Sequence, residues 1–108
     1  MKAYRLHERA EARLRVHSGI SLEERIRRYL DAIPPAISGQ GGHRQTFFAA
    51  RALVHGFALR PSEAWPYLEK YNRRCQPPWT RKELEHKLQS ALTWRPANGQ
   101  RSRGYLRG

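Results

Sequence analysis

Apolar residues recur three and four positions apart along most of this chain, and that spacing predicts helices. Residues 4–17 place Leu6, Ala10 and Leu14 four apart among arginines, which predicts a weakly anchored basic helix. No segment alternates apolar and polar residues as a half-buried strand does. The pattern therefore predicts an all-α protein.

Two further helices follow, and local residue chemistry predicts where they begin and end. Ser21 with Glu24 forms a capping-box pattern that opens the second helix, and Pro34-Pro35 ends it. The helix after the glycine-rich stretch is apolar on more than one side, so it is expected at the centre of the bundle. Gly56 is predicted to close that helix in a left-handed conformation.

The last two helices carry equally clear start patterns. Pro61 stands at an early helical position, and Thr80 with Glu83 predicts a second capping box. In the final helix the predicted buried stripe is Leu84, Leu88, Ala91 and Leu92, with Arg81, Lys82 and Lys87 outward.

These elements predict a small helical bundle of four core helices. Residues 1–20 are assigned to a weakly anchored basic N-terminal helix or arm, and residues 21–94 to the bundle. Residues 95–108 contain Arg, Gly, Ser, Asn and Pro without an acid. We expect that Arg-rich tail to be disordered when free.

Charge points to an anionic partner. The 108 residues hold 21 Lys and Arg against nine Asp and Glu, a formal net charge of +12, with a mean hydropathy of −0.85. Cys75 is the single cysteine, and the scattered histidines show no zinc-ligand spacing. With no membrane-span pattern and no signal-peptide pattern, we expect a cytoplasmic protein with no membrane partner.

The sequence argues against catalysis. Residues 34–60 contain no carboxylate, and no acid pair suggests metal binding or general acid–base chemistry. The glycine-rich stretch also lacks the lysine and Ser/Thr of a nucleoside-triphosphate loop. We expect no enzymatic activity, no metal, no cofactor and no small-molecule substrate.

The glycine-rich stretch is the first candidate binding site. Gly39, Gly41 and Gly42 can adopt positive φ, so their N–H groups could converge on a phosphate at a helix N-terminus, beside His43 and Arg44. The alternative is a tight turn that needs glycine for shape alone.

A second basic cluster, Asn72, Arg73 and Arg74, ends the helix that begins near Pro61, where it could contact phosphates and a sugar or base edge. The alternative is a solvated C-terminal turn. The aromatic residues could stack on bases, although their helical spacing favours core packing. Further candidate contacts are Arg81, Lys82, Arg101 and Arg103.

Several ordered motifs carry a resemblance, and they run from near Arg25 to Trp94. They are Ile33-Pro34-Pro35-Ala36-Ile37, Gly39-Gln40-Gly41-Gly42-His43, Thr46-Phe47, Val54-His55-Gly56-Phe57, Tyr71 through Thr80, and Glu83-Leu84-Glu85-His86-Lys87. Together they resemble the small helical module that accompanies primase-polymerases of phages, plasmids and related mobile elements. The resemblance implies a helical bundle that binds template DNA during replication, with contacts at Gly39–Arg44 and Asn72–Arg74. The 108 residues hold neither an acidic catalytic domain nor a helicase motor, so polymerising activity is not implied.

Two functional hypotheses follow. The first is a non-enzymatic, primase-associated nucleic-acid-binding module, with DNA favoured and RNA possible as the partner. The alternative is a small protein-interaction subunit or accessory factor of a larger nucleoprotein or ribonucleoprotein assembly, such as a replication or defence complex.

Overall fold

The computed structural model describes residues 20–95 and 102–107, and it confirms the all-α, four-helix bundle. The helices are α1 (Leu22–Asp31), α2 (Gly42–Arg51), α3 (Pro61–Asn72) and α4 (Arg81–Thr93), and a π-helical turn (Ala52–Gly56) extends α2. Within those two ranges there is no strand, only one isolated parallel bridge between Ile37 and Gln76. The predicted N-terminal basic helix lies outside the described residues.

None of the helices in the described ranges has the length and apolar character needed to cross a membrane.

The helix starts are set by side-chain caps. Thr80 Oγ1 accepts a hydrogen bond from the Glu83 N–H at 3.2 Å, and the Glu83 carboxylate accepts one from the Thr80 N–H at 2.9 Å, which confirms that capping box. Ser21 likewise caps α1 by accepting from the Glu24 N–H. The second half of that predicted box is wrong, because the Glu24 carboxylate binds Arg27 and Arg28 instead.

The core lies around α2 and its π-helical turn, as the apolar character of this segment predicts. Tyr29, Phe57 and Tyr71 are the largest fully buried side chains. The rings of Tyr29 and Phe57 meet edge to face with centroids 5.5 Å apart, which holds α1 against the end of the central helix.

The prediction for Gly56 is wrong, and the π-helical turn explains why. The Phe57 N–H reaches back five residues to the Ala52 carbonyl at 2.9 Å, and the left-handed residue beyond it is Ala58, with φ of 54°. Gly56 serves close packing instead. A Cβ there would lie 2.5 Å from Leu106 Cδ1.

The expected disorder of the tail does not hold for residues 102–107. The Leu106 side chain is only 4% exposed, and its N–H donates to the Gly56 carbonyl at 2.9 Å. The Gly104 N–H donates to the His55 carbonyl at 2.7 Å. The guanidinium of Arg25 donates to the carbonyls of Leu106 and Arg107, so this short segment joins α1 to the π-helical turn.

Candidate nucleic-acid interface

The glycine loop leads directly into the open N-terminus of α2. Gly39 and Gly41 have φ of 81° and 73°, as the sequence predicts, and a Cβ at either position would meet nothing within 4 Å. Gly41 is the N-cap of α2, and no side chain caps the first turn. The N–H groups at this end therefore stay available to an anion, and the helix dipole favours negative charge there.

Gly42 has a different role from the predicted one. Its φ is not in the positive range, because it is already the first residue of α2. A Cβ at Gly42 would lie 3.2 Å from Ala36 Cβ and 3.3 Å from the Ile37 carbonyl oxygen. Glycine is thus needed here for close approach of the preceding loop, and the predicted three-glycine nest reduces to Gly39 and Gly41 with the helix end.

Backbone pairing brings the two predicted clusters to the same region. The Gln76 N–H donates to the Ala36 carbonyl at 2.9 Å, and the Ser38 N–H donates to the Gln76 carbonyl at 2.8 Å. The connector between α3 and α4 therefore runs beside the segment that enters the glycine loop. This contact is non-local, and residue spacing in the sequence gives no indication of it.

Lys87 lies where this connector meets α2, and the prediction that it points outward is wrong. The residue is only 5% exposed. Its Nζ is 4.2 Å from the centroid of the Trp79 ring and 2.7 Å from His43 Nδ1. Burial lowers the pKa of Lys87 from its usual value, while the nearby carboxylate of Glu83 opposes that shift.

The sequence does contain a pattern that would have found Lys87. It lies three residues after Leu84 and four before Ala91, on the same helical stripe as Leu88. The prediction that Lys87 points outward was wrong because it followed the charge of the residue and not its position on the helix. The hydrogen bond between Lys87 and His43 uses one of the three ammonium donors.

Trp79 is fixed in place by hydrogen bonds at both its side chain and its backbone. Its indole Nε1 donates to Thr46 Oγ1 at 2.7 Å, and Thr46 is fully buried. The Asn72 side chain accepts from the Trp79 N–H at 2.8 Å and donates to the Trp79 carbonyl at 2.9 Å. These two bonds favour a structural role for Asn72 in the connector over its predicted role as a nucleic-acid contact.

Arg74 is also engaged within the protein. Its Nη2 donates to the carbonyls of Leu30 and Ile33 at 3.0 and 2.9 Å, and its guanidinium lies over the Tyr71 ring. The Leu30 carbonyl also accepts from the Ile33 N–H at 3.1 Å, so Arg74 adds a second donor there and links α3 to the chain just after α1. These contacts favour a structural role for Arg74 over its predicted role as a nucleic-acid contact.

Three cations near the loop and the connector are exposed and unengaged. They are Arg44 in the first turn of α2, Arg73 at the end of α3 and Lys82 in the first turn of α4. Across residues 20–95 and 102–107, the side chains of these three make no ion pair or hydrogen bond. Arg81 differs, because it pairs with Glu85 at 3.0 Å and lies over the Trp65 ring.

The tail residues do not join this region. Arg101 lies outside the described residues, so its predicted contact stays a prediction. Arg103 is exposed, but it lines a pocket with Val54 and Trp94 at the opposite end of α2.

No family model, curated protein or solved structure matches this chain. The resemblance to a primase-associated module therefore stays a prediction from the residues. In the part of the chain that the structure describes, no group of three His, Cys, Asp or Glu side chains could hold a metal ion.

Proposed function

We propose that this protein is a non-enzymatic nucleic-acid-binding module that contacts the phosphate backbone. One observation carries the proposal: backbone pairing at Gln76 brings the connector beside the glycine loop and the open N-terminus of α2. The binding surface consists of Gly39, Gly41, His43 and Arg44, with Lys87 in contact with His43. Arg73 and Lys82 join it from the helix ends on either side of the connector. We call this set the loop surface.

The electrostatics of the loop surface support a phosphate ligand. Residues 34–60 contribute no carboxylate, and the α2 N-terminus adds partial positive charge and free N–H donors. Guanidinium groups at positions 44 and 73 can bind phosphate through two parallel hydrogen bonds. Contacts of this kind position a backbone without reading its sequence, so we propose sequence-independent binding.

DNA is our first choice of ligand because the chain resembles the template-binding module of mobile-element primases. No acid pair in the sequence suggests metal binding or general acid–base chemistry, which supports a binding role rather than a catalytic one. A cytoplasmic site of action, where replication of a mobile element takes place, completes the proposal.

Fluorescence anisotropy with a labelled single-stranded DNA tests this proposal. We expect binding at low salt, and we expect the double variant Arg44→Ala/Arg73→Ala to bind about tenfold more weakly. The control is Arg27→Ala/Arg60→Ala, which removes the same charge from two exposed arginines that already pair with Glu24 and Glu63. This control is expected to bind nearly as well as the wild type.

Equal loss in both double variants would show that net charge alone drives binding, and it would overturn the assignment of the loop surface. No binding of DNA or RNA at low salt would overturn the function itself. In that case, co-purification with a protein partner after nuclease treatment would support the protein-interaction hypothesis.

A further inference from the structure

A second site lies at the end of the bundle away from the glycine loop. His43 near the start of α2 contacts Lys87, and Arg51 at its end contacts Trp94, so α2 and α4 run in the same direction. Beyond their C-terminal ends, between the π-helical turn and residues 102–107, is a pocket of about 330 Å³. That volume is at the lower end of the range typical of small-ligand sites.

One wall of the pocket is apolar and aromatic. It is formed by Val54 of the π-helical turn and by Ala91, Leu92 and Trp94 at the end of α4. The Trp94 ring is held by the His55 ring, which meets it edge to face with centroids 4.9 Å apart. A planar aromatic group would find both apolar surface and a fixed indole here.

The rest of the lining is cationic and hydrogen-bonding, and none of the described residues that line the pocket carries a carboxylate. Arg95 and Arg103 line the pocket together with Ser102 and His55. Arg95 donates to the carbonyls at the end of α4, which fixes its guanidinium at the rim. Arg103 is exposed, and its side chain has no hydrogen-bond or ion-pair partner among the described residues.

Arg51 adds a third guanidinium beside the aromatic wall. Its Cζ lies 4.5 Å from the centroid of the Trp94 ring, and it also lies over the rings of Phe47 and Phe48. Its Nε is buried with no hydrogen-bond partner. No acid pairs with this cation in the described structure, so the positive potential of this end of the bundle is not cancelled locally.

The backbone beside the pocket has an unusual helical conformation. The π-helical turn Ala52–Gly56 supplies Val54 and His55 to the lining. Such turns are rare, and they occur frequently at functional sites. Directly beside the pocket, this turn shifts the backbone away from the hydrogen-bonding register of α2.

We propose that this pocket binds one nucleoside monophosphate unit, with its base against Trp94 and its phosphate between Arg95 and Arg103. The aromatic wall suits a base, and the two guanidinium groups of the rim suit a phosphate. This site is separate from the loop surface and does not depend on it. It also departs from the expectation that the protein has no small-molecule ligand.

The experiment is an NMR titration of the full chain with AMP, with ribose 5-phosphate and hexyl phosphate as comparison ligands. We expect AMP to shift the amide signals of Val54, His55 and Ala91 and the indole signal of Trp94. It should bind at least about fivefold more tightly than either comparison ligand, since ribose 5-phosphate lacks a base and hexyl phosphate replaces it with an alkyl chain. Equal binding of hexyl phosphate or ribose 5-phosphate would overturn the proposed recognition of a base.

Two variants locate the site. Ser102→Phe fills the pocket from an exposed position, and Arg103→Glu reverses the charge of an exposed rim residue, so both are expected to fold. Each should abolish the AMP-induced shifts, whereas Lys70→Glu on the exposed surface of α3 should leave them unchanged. Shifts that survive in Ser102→Phe would place AMP elsewhere and contradict the proposal.

Titration with a trinucleotide distinguishes two possible ligands of the pocket, a free nucleotide and one unit of a nucleic-acid strand. If the pocket binds one unit of a strand, the trinucleotide binds more tightly than AMP. Ser102→Phe then removes this difference in affinity. If the pocket binds a free nucleotide, the two ligands bind equally, and both results support the site. Arg44→Ala/Arg73→Ala should leave AMP binding unchanged, so this site and the loop surface can fail independently.

Discussion

Leu106 packs directly onto the backbone of Gly56, so that a Cβ at position 56 would lie 2.5 Å from Leu106 Cδ1. The contact joins residues 50 positions apart in the chain, and the Leu106 N–H also donates to the Gly56 carbonyl. The tail segment is therefore part of the folded core, and glycine at position 56 allows Leu106 to approach this closely.

A double-mutant cycle tests this relationship. Leu106→Ala should lower the free energy of unfolding by about 2–3 kcal/mol, because it removes a buried side chain. Gly56→Ala should cost about 1 kcal/mol in the wild type, because its methyl group displaces Leu106. In the Leu106→Ala background the same change should be neutral or stabilising, since the space is then free and alanine favours a helix.

Urea denaturation of the four proteins measures the coupling between the two positions. We expect a coupling energy of about 1–2 kcal/mol. Additive effects would mean that residues 102–107 do not pack on the π-helical turn.

Asn72 should matter for stability rather than for binding. Asn72→Ala removes two hydrogen bonds to the Trp79 backbone, so we expect it to lower the free energy of unfolding by about 1–2 kcal/mol. The neighbouring exposed Arg73→Ala is the control, with a change within about 0.5 kcal/mol. Thermal unfolding monitored by circular dichroism compares them, and equal melting temperatures for the two variants would refute the structural role of Asn72.

Lys87 should make stability depend on pH. Burial lowers the pKa of Lys87 in the folded state, so the unfolded chain binds more protons between that lowered pKa and the usual value of 10.5. The free energy of unfolding should therefore rise with pH across this window, which lies below pH 10.5.

Lys87→Met should reduce the increase of the free energy of unfolding with pH, because methionine fills similar space without a titrating group. Lys82→Met, at an exposed position in the first turn of the same helix, should keep it. Urea denaturation at several pH values across the window gives the slopes. A wild-type slope that persists in Lys87→Met would assign the titration to another group.

The sequence predicted the elements well, because their determinants are local. Thr80 and Glu83 specify a helix start through atoms three residues apart, and Pro34-Pro35 ends α1 by backbone geometry alone. Gly39 and Gly41 were likewise predictable, since positive φ is a property of the residue itself.

The parts that sequence reasoning missed depend on contacts between distant segments. Arg74 binds the Leu30 carbonyl 44 positions away, and nothing in a basic turn distinguishes such a residue from a free one. Leu106 follows Tyr105 in a short stretch of arginines and glycines, so it belongs to no periodic pattern that could predict its burial. Lys87 was different, because its helical position already contradicted its assignment to the surface.

The salt dependence of DNA affinity tests the central claim most directly. The logarithm of the association constant for single-stranded DNA should fall linearly with the logarithm of salt concentration, with a slope of about −0.7 per phosphate neutralised. Arg44→Ala/Arg73→Ala should make that slope shallower by about 1.4, corresponding to two lost phosphate contacts, while Arg27→Ala/Arg60→Ala should leave it unchanged. An unchanged slope in Arg44→Ala/Arg73→Ala would contradict phosphate binding at the loop surface.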